Sequence, residues 1–224
     1  MAARPGQVPE VGGCGGVAAG QPCGAGVLAP CAAGSRLAAV CGEACFGSAR
    51  GPGGMLLLTL EESLFLMAEW GLLTVELSGS GPHDGALSKG LSLTDAFFRY
   101  CCAAVAGFPW RYAVYRHLRL KGWVVRPDAV KFGADFLLYD GRVDDCHAQY
   151  AVIIARTGMQ WRDVLQGSRL AQLVAKELLM IYLSCKPGIM QEHDPCSVSL
   201  SSFIKSSGAQ VAEVVAKQWS PHCG

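Results

Sequence analysis

The hydrophobic period changes at Gly122, and that change limits what the chain can fold into more than any other feature. Before it, apolar residues recur at helical spacing. Thr59-Leu-Glu-Glu62 has the form of a capping box, and Leu60, Leu64, Phe65 and Ala68 then share one face until Gly71. Leu73 to Leu77 reads as a short strand. A second helix starts after Ser92 and carries Phe97, Phe98 and Cys102; a third spans about Arg111 to Lys121, with Tyr112, Tyr115 and Leu118 inward. After Gly122, Trp123–Arg126, Ala134–Tyr139 and Ala148–Ala155 read as strands. Trp161–Leu179 reads as a helix, with Leu165, Leu170, Leu173, Val174 and Leu178 at helical spacing. Met180–Cys185 and Val211–Trp219 read as strands. The expected fold is α/β (α+β): a small, mainly helical module over residues 55–122, then over 123–224 a domain with a mixed sheet and one central helix.

Residues 1–54 belong to neither pattern. They hold 14 of the 28 glycines and 5 of the 11 cysteines, but only 5 charged residues. So few bulky apolar groups bury too little surface to offset ordering entropy, so a disordered Gly/Ala-rich arm is expected. Its scarcity of acids fits an organelle transit peptide, but Arg and Ser are scarce too. The remaining 170 residues carry 16 Lys and Arg against 16 Asp and Glu. No apolar run approaches the ~20 residues of a membrane helix, and no secretory h-region follows the N-terminus. An odd number of cysteines without a secretory signal reads as reduced thiols. Cys14, Cys23, Cys31, Cys41 and Cys45 lack the close pairing that zinc sites use, so no metal is expected. The balanced total charge argues against a nucleic-acid partner.

Local features argue otherwise. Arg111, Arg116, Arg119, Lys121, Arg126 and Lys131 crowd a 21-residue stretch against one acid, Asp128. Such a run is either a solvated helix face or a phosphate-attracting one. Tyr139 closes an apolar strand, His147 stands where the next strand begins, and Lys176 lies within the central helix beside Glu177. Taken singly, each is an ordinary structural or surface residue.

Jointly they resemble the catalytic domain of the tRNA-splicing (intron) endonucleases. The resemblance rests on Tyr115-Arg-His-Leu-Arg-Leu-Lys-Gly-Trp123, Lys131-Phe-Gly-Ala-Asp-Phe-Leu-Leu-Tyr139, His147-Ala-Gln-Tyr150 and Ser168-Arg-Leu-Ala-Gln-Leu-Val-Ala-Lys176. Val174-Ala-Lys-Glu-Leu-Leu179 points to the eukaryotic catalytic subunit that cuts the 5′ splice site. The sister subunit that cuts the 3′ site and a non-catalytic RNA-positioning subunit are the alternatives. Ala129 departs from the family, which usually has Gly there, and this is expected to reshape the turn between two strands.

The resemblance implies Tyr139, His147 and Lys176 as catalytic residues, with no cofactor and no metal. His147 is suited to protonating a leaving oxygen and Lys176 to holding charge on phosphate. Tyr139 is implied as the base; a phenol of ordinary pKa about 10 is a poor base at neutral pH, so that role needs a lowered pKa or becomes one of positioning. It implies that Arg169, on one helical stripe with Lys176, and Trp219 sandwich a flipped intron base at a partner's active site. The implied partners are precursor tRNA and a heteromeric complex with one sister catalytic and two structural subunits. The last strand would pair with a partner by edge addition. The implied location is the nucleus, with organelle targeting by the arm left open; no membrane partner is expected.

Overall fold

The computed structural model describes residues 17–23, 26–31, 35–47, 49–51, 55–77, 92–127, 129, 133–184, 199–206 and 210–216. Two five-stranded mixed sheets and six helices are present among them.

The first sheet contradicts the expected arm. Strands β1 (Ala18–Cys23) and β2 (Gly26–Pro30), helix α1 (Arg36–Glu43) and strand β3 (Ala49–Gly51) all lie within residues 1–54. With β4 (Met55–Thr59) and β5 (Leu73–Val75) they make a sheet of order β3-β4-β2-β1-β5. Only the β1–β5 pairing is parallel. Val27, Ala29, Leu37, Val40 and Phe46 are buried in the main core. The glycines serve close packing rather than disorder: a Cβ on Gly26 would meet the Leu58 carbonyl oxygen at 2.6 Å. The N-terminal part is therefore an α/β unit that begins before residue 55, not a mainly helical module.

Helix α2 (Leu60–Ala68) starts with the expected capping box. The Thr59 amide donates to Glu62 Oε2 at 2.9 Å, and the Glu62 amide donates to Thr59 Oγ1 at 3.3 Å. Glu62 Oε1 also accepts from the Gly47 amide, 15 residues earlier, at 3.1 Å. Burial pushes this carboxyl above the usual range. Helix α3 (Leu93–Ala104) is capped by Ser92. Helix α4 (Phe108–Leu120) starts a turn earlier than the spacing suggests, because Gly107 adopts φ +73° and Pro109 suits the first turn. Tyr112, Tyr115 and Leu118 are fully buried, and Gly122 follows the helix at φ +99°.

The second sheet has the order β10-β9-β8-β7-β6. Its strands are β6 (Val124–Arg126), β7 (Phe136–Tyr139), β8 (Tyr150–Ile154), β9 (Glu177–Ser184) and β10 (Gln210–Ala216). Only β8 and β9 are parallel, joined through helix α5 (Trp161–Leu173). Alternation assigns the two faces. Phe136, Leu138, Val152, Ile154, Leu179 and Ile181 join the main core with α4. On the other face, Leu137, Ala151, Leu178 and Met180 pack with Val164 and Ala171 of α5. Ala129 is also buried there, so the methyl that departs from the family pattern lies within the core under α5. Helix α6 (Leu200–Ser206) packs Phe203 on Trp110 and Phe98.

The described cations of the basic stretch are engaged within the chain rather than left open to phosphate. Arg111 pairs with Glu61 and, at 3.1 Å, with Asp135; Arg116 pairs with Glu69 at 2.6 Å. Arg119 is 6% exposed and donates to the Tyr115 hydroxyl at 3.0 Å and to the Ala44 carbonyl at 2.9 Å. Its guanidinium lies 4.0 Å from the Phe46 ring centre. Arg126 donates to the carbonyls of Gly47 and Cys45. Lys121 and His117 both reach Glu213 on β10 at 2.8 Å. Burial raises the pKa of Glu213, but the hydrogen bonds from Lys121 and His117 outweigh it and hold the carboxyl below the usual range. These cations join the N-terminal unit, α4 and the second sheet. Lys131 lies outside the described residues.

Candidate active site

Strand register brings two of the implied catalytic residues to one level. Leu138 pairs with Tyr150, and Tyr150 pairs with Glu177. The Gln149 amide donates to the Leu138 carbonyl at 2.8 Å, and the Glu177 amide donates to the Gln149 carbonyl at 3.0 Å. Continuing the register by one residue makes Tyr139, Gln149 and Lys176 a row across three neighbouring strand ends. With strands spaced about 4.8 Å apart, the backbones of Tyr139 and Lys176 are about 10 Å apart. Their faces agree as well. Tyr139 follows Leu137 at period two and packs against the α5-side core; Lys176 precedes Leu178 at the same period.

His147 lies in the connection that crosses this end of the sheet, residues 140–149. The connection is wound on Arg142, whose carbonyl accepts from the amides of Asp145 at 3.0 Å and Cys146 at 3.2 Å. Arg142 also pairs with Glu43 of α1 at 3.7 Å. A cavity of about 380 Å³ lies between them, lined by Cys41, Cys45, Arg126, Arg142 and Asp144 among others. The N-terminal unit thus supports the connection that carries His147, a role its composition does not suggest. His147 is exposed and makes no hydrogen bond among the described residues, so its imidazole is open to a substrate.

Lys176 is not inside the helix. α5 ends at Leu173, with Val174 as its cap. The Ala175 amide donates to the Gln172 carbonyl at 3.0 Å, and the Lys176 amide to the Ala171 carbonyl at 2.9 Å. With Ala175 at φ +54°, this is a Schellman turn. The turn reverses the chain into β9, which delivers Lys176 to the strand-end row. Lys176 Nζ donates to the Val174 carbonyl at 3.3 Å, at the negative end of the helix dipole. Arg169 and Lys176 therefore do not share a helical stripe. Arg169 sits on α5, exposed and without a hydrogen-bond or ion-pair partner among the described residues. Trp219 lies outside the described residues.

The leucines of α5 also differ from expectation. Leu165, Leu170 and Leu173 are 40%, 45% and 81% exposed, while Val164, Gly167 and Ala171 face the sheet. The helix lies too close for larger residues: a Cβ on Gly167 would meet Ile153 Cδ1 at 2.5 Å.

Among the described residues, Cys23, Cys41, Cys45, Cys101 and Cys146 are free thiols. Among the described residues, no group of three or more His, Cys, Asp or Glu is placed to hold a metal ion. No described helix is long and apolar enough to cross a membrane.

A tyrosine and a lysine on one strand-end row, with a histidine in the connection beside them, can serve proton transfer and charge stabilisation at one phosphate. Residues 108–187, from α4 to just past β9, match the tRNA intron endonuclease catalytic C-terminal domain. The chain is similar to proteins named Sen2. It is 28% identical to tRNA-splicing endonuclease subunit Sen2-1 of Arabidopsis thaliana over 169 residues, 73% of this chain and 64% of that one. It is 30% identical to tRNA-splicing endonuclease subunit Sen2 of Mus musculus over 174 residues, 73% of this chain and 34% of that one. The tRNA-splicing endonuclease of Methanopyrus kandleri is 37% identical over 76 residues, 33% of this chain and 42% of that one. The chain thus spans between about a third and just under two thirds of these relatives.

Proposed function

We propose that this chain is the catalytic subunit of a tRNA-splicing endonuclease and cuts precursor tRNA at the 5′ splice site. The observation that carries this reading is the common level of Tyr139 and Lys176 at one sheet end, with His147 exposed in the connection beside them. The 2′-hydroxyl next to the scissile bond attacks phosphorus, and the bond to the 5′-oxygen breaks. Tyr139 accepts or directs the 2′-hydroxyl proton, and His147 returns a proton to the leaving 5′-oxygen. Lys176 stabilises the charge on the pentacoordinate phosphate. The products are a 2′,3′-cyclic phosphate and a 5′-hydroxyl. Because the substrate supplies its own nucleophile, this chemistry needs no metal or cofactor.

The chain works in the nucleus, in a complex with a sister catalytic subunit and two structural subunits. β10 supports a partner there: it is an edge strand, and its Val214 and Val215 are 47% and 39% exposed. Arg169 and Trp219 hold a flipped intron base at the sister site.

The test is single-turnover cleavage by the co-expressed complex. His147→Ala should slow cutting at the 5′ junction by about 10²–10⁴-fold with RNA affinity unchanged. A 2′-deoxy nucleotide at that junction should block cutting, and EDTA should leave it unaffected. Normal cutting of the deoxy substrate, or loss of activity in EDTA, would sink the mechanism.

A further inference from the structure

We propose that the outward face of α5 is an RNA-binding platform in which Trp161 stacks on a nucleobase of the precursor tRNA and Arg162 binds its phosphate backbone. This rests on the endonuclease reading and extends it to residues the family pattern above does not use.

The face is defined by what the helix buries. At roughly 100° per residue, Val164, Gly167 and Ala171 gather on one side of the helix, and Arg162 and Arg169 fall nearly opposite. Trp161 and Leu165 flank that line. Trp161 is 71% exposed, and the Arg162 side chain is 75% exposed. An indole this exposed leaves most of a flat apolar surface in water.

Charge selects the occupant. The described cations between Arg111 and Arg126 are engaged by carboxylates, carbonyls or a buried hydroxyl of the same chain. Those of the α5 face are engaged more weakly or, among the described residues, not at all. Among the described residues, Arg162 meets only its neighbour Asp163, at 3.8 Å, and the Asp163 carboxylate also accepts from the Gln160 amide at the helix start. Arg169 has no partner among the described residues. The outward arc therefore presents two guanidinium groups, with the Trp161 ring on one flank and Asp163 on the other, where it lines a separate cavity. Guanidinium groups alternating with an aromatic ring fit single-stranded nucleic acid, which offers bases to stack and phosphates to pair. Trp161 and Arg169 are about 12 Å apart along the helix axis, a span of about three to four stacked nucleotides. The same helix runs into the turn that sets Lys176, with Trp161 at its opposite end, about 18 Å away along the axis.

The experiment uses the full chain, alone and co-expressed with its partner subunits, and a fluorescein-labelled intron-containing tRNA transcript. Trp161→Ala should weaken binding by about 5- to 150-fold, the range for one lost base stack. Its single-turnover cleavage rate at saturating RNA should match wild type. Trp161→Phe, which keeps a ring, should recover most of the affinity. Arg162→Ala should lower the slope of log affinity against log salt by about 0.7–0.9. Unchanged affinity in Trp161→Ala overturns the proposal. Should that variant fail to fold, unchanged affinity in Trp161→Phe together with an unchanged slope in Arg162→Ala overturns it. Loss of partner subunits from the Trp161→Ala complex on size exclusion, with RNA affinity intact, makes the face a protein-docking surface and overturns it too. A wild-type complex that binds the transcript but leaves it uncut is a failure of the endonuclease reading instead, and the binding curves still decide the platform.

Discussion

Arg119 illustrates how far a residue's type can be from its use. In the sequence it belongs to a run of cations suited to phosphate. In the fold it is buried, donates to Tyr115, Ala44 and Val125, and stacks over Phe46. A planar fork with five donors can meet several acceptors at once, which a lysine cannot. Arg119→Ala should cost on the order of 3 kcal/mol in urea unfolding, because it strands buried acceptors and removes the packing over Phe46. RNA affinity of the folded fraction should be unchanged; a stable variant with weakened RNA binding would restore the phosphate role. By contrast, Tyr139, His147 and Lys176 were legible as a motif. Two of them share a strand-end row that no spacing rule displays, because it arises from pairing between three strands distant in sequence.

Among elements, the type of most was readable, but the start of α4 and the end of α5 were not. The capping box at Thr59, the caps at Ser92 and the stop at Gly122 are local signals, and they stand as read. The end of α5 is six residues earlier than the apolar spacing suggests. Leu178 to Ile181 is buried on both faces of the sheet, and a continuous apolar run satisfies helical and strand periods alike. The usual stop residue is also missing, since Ala175 occupies the left-handed position where glycine is favoured. Ala175→Gly should therefore raise stability by up to about 1 kcal/mol. Ala175→Val should lower it by about 1–2 kcal/mol and slow cleavage, because the turn that aims Lys176 is strained. Thermal unfolding and single-turnover rates check both, and equal stability of the two variants would mean that the turn is not under this constraint.

For the whole molecule, the N-terminal unit is the main departure from expectation. Removing residues 1–54 should leave an insoluble or unfolded chain, since β4 loses both of its neighbouring strands and Leu56, Leu58 and Phe65 lose their cover. A soluble, cooperatively melting truncated chain would return these residues to the status of an arm. Composition misleads here because β1, β2 and α1 are built from small residues, which contribute little apolar area individually but fit closely against β4 and α2. By itself the sequence determined the periodic elements, the caps and the resemblance of the second sheet to the tRNA intron endonuclease domain, since all of these are written in local spacing. The tertiary structure decided which cations are engaged inside the fold and which face outward, which face of α5 is buried, and that the Gly- and Cys-rich segment is part of the fold. Each of these depends on what a residue meets across the chain, and a sheet pairs strands far apart in sequence.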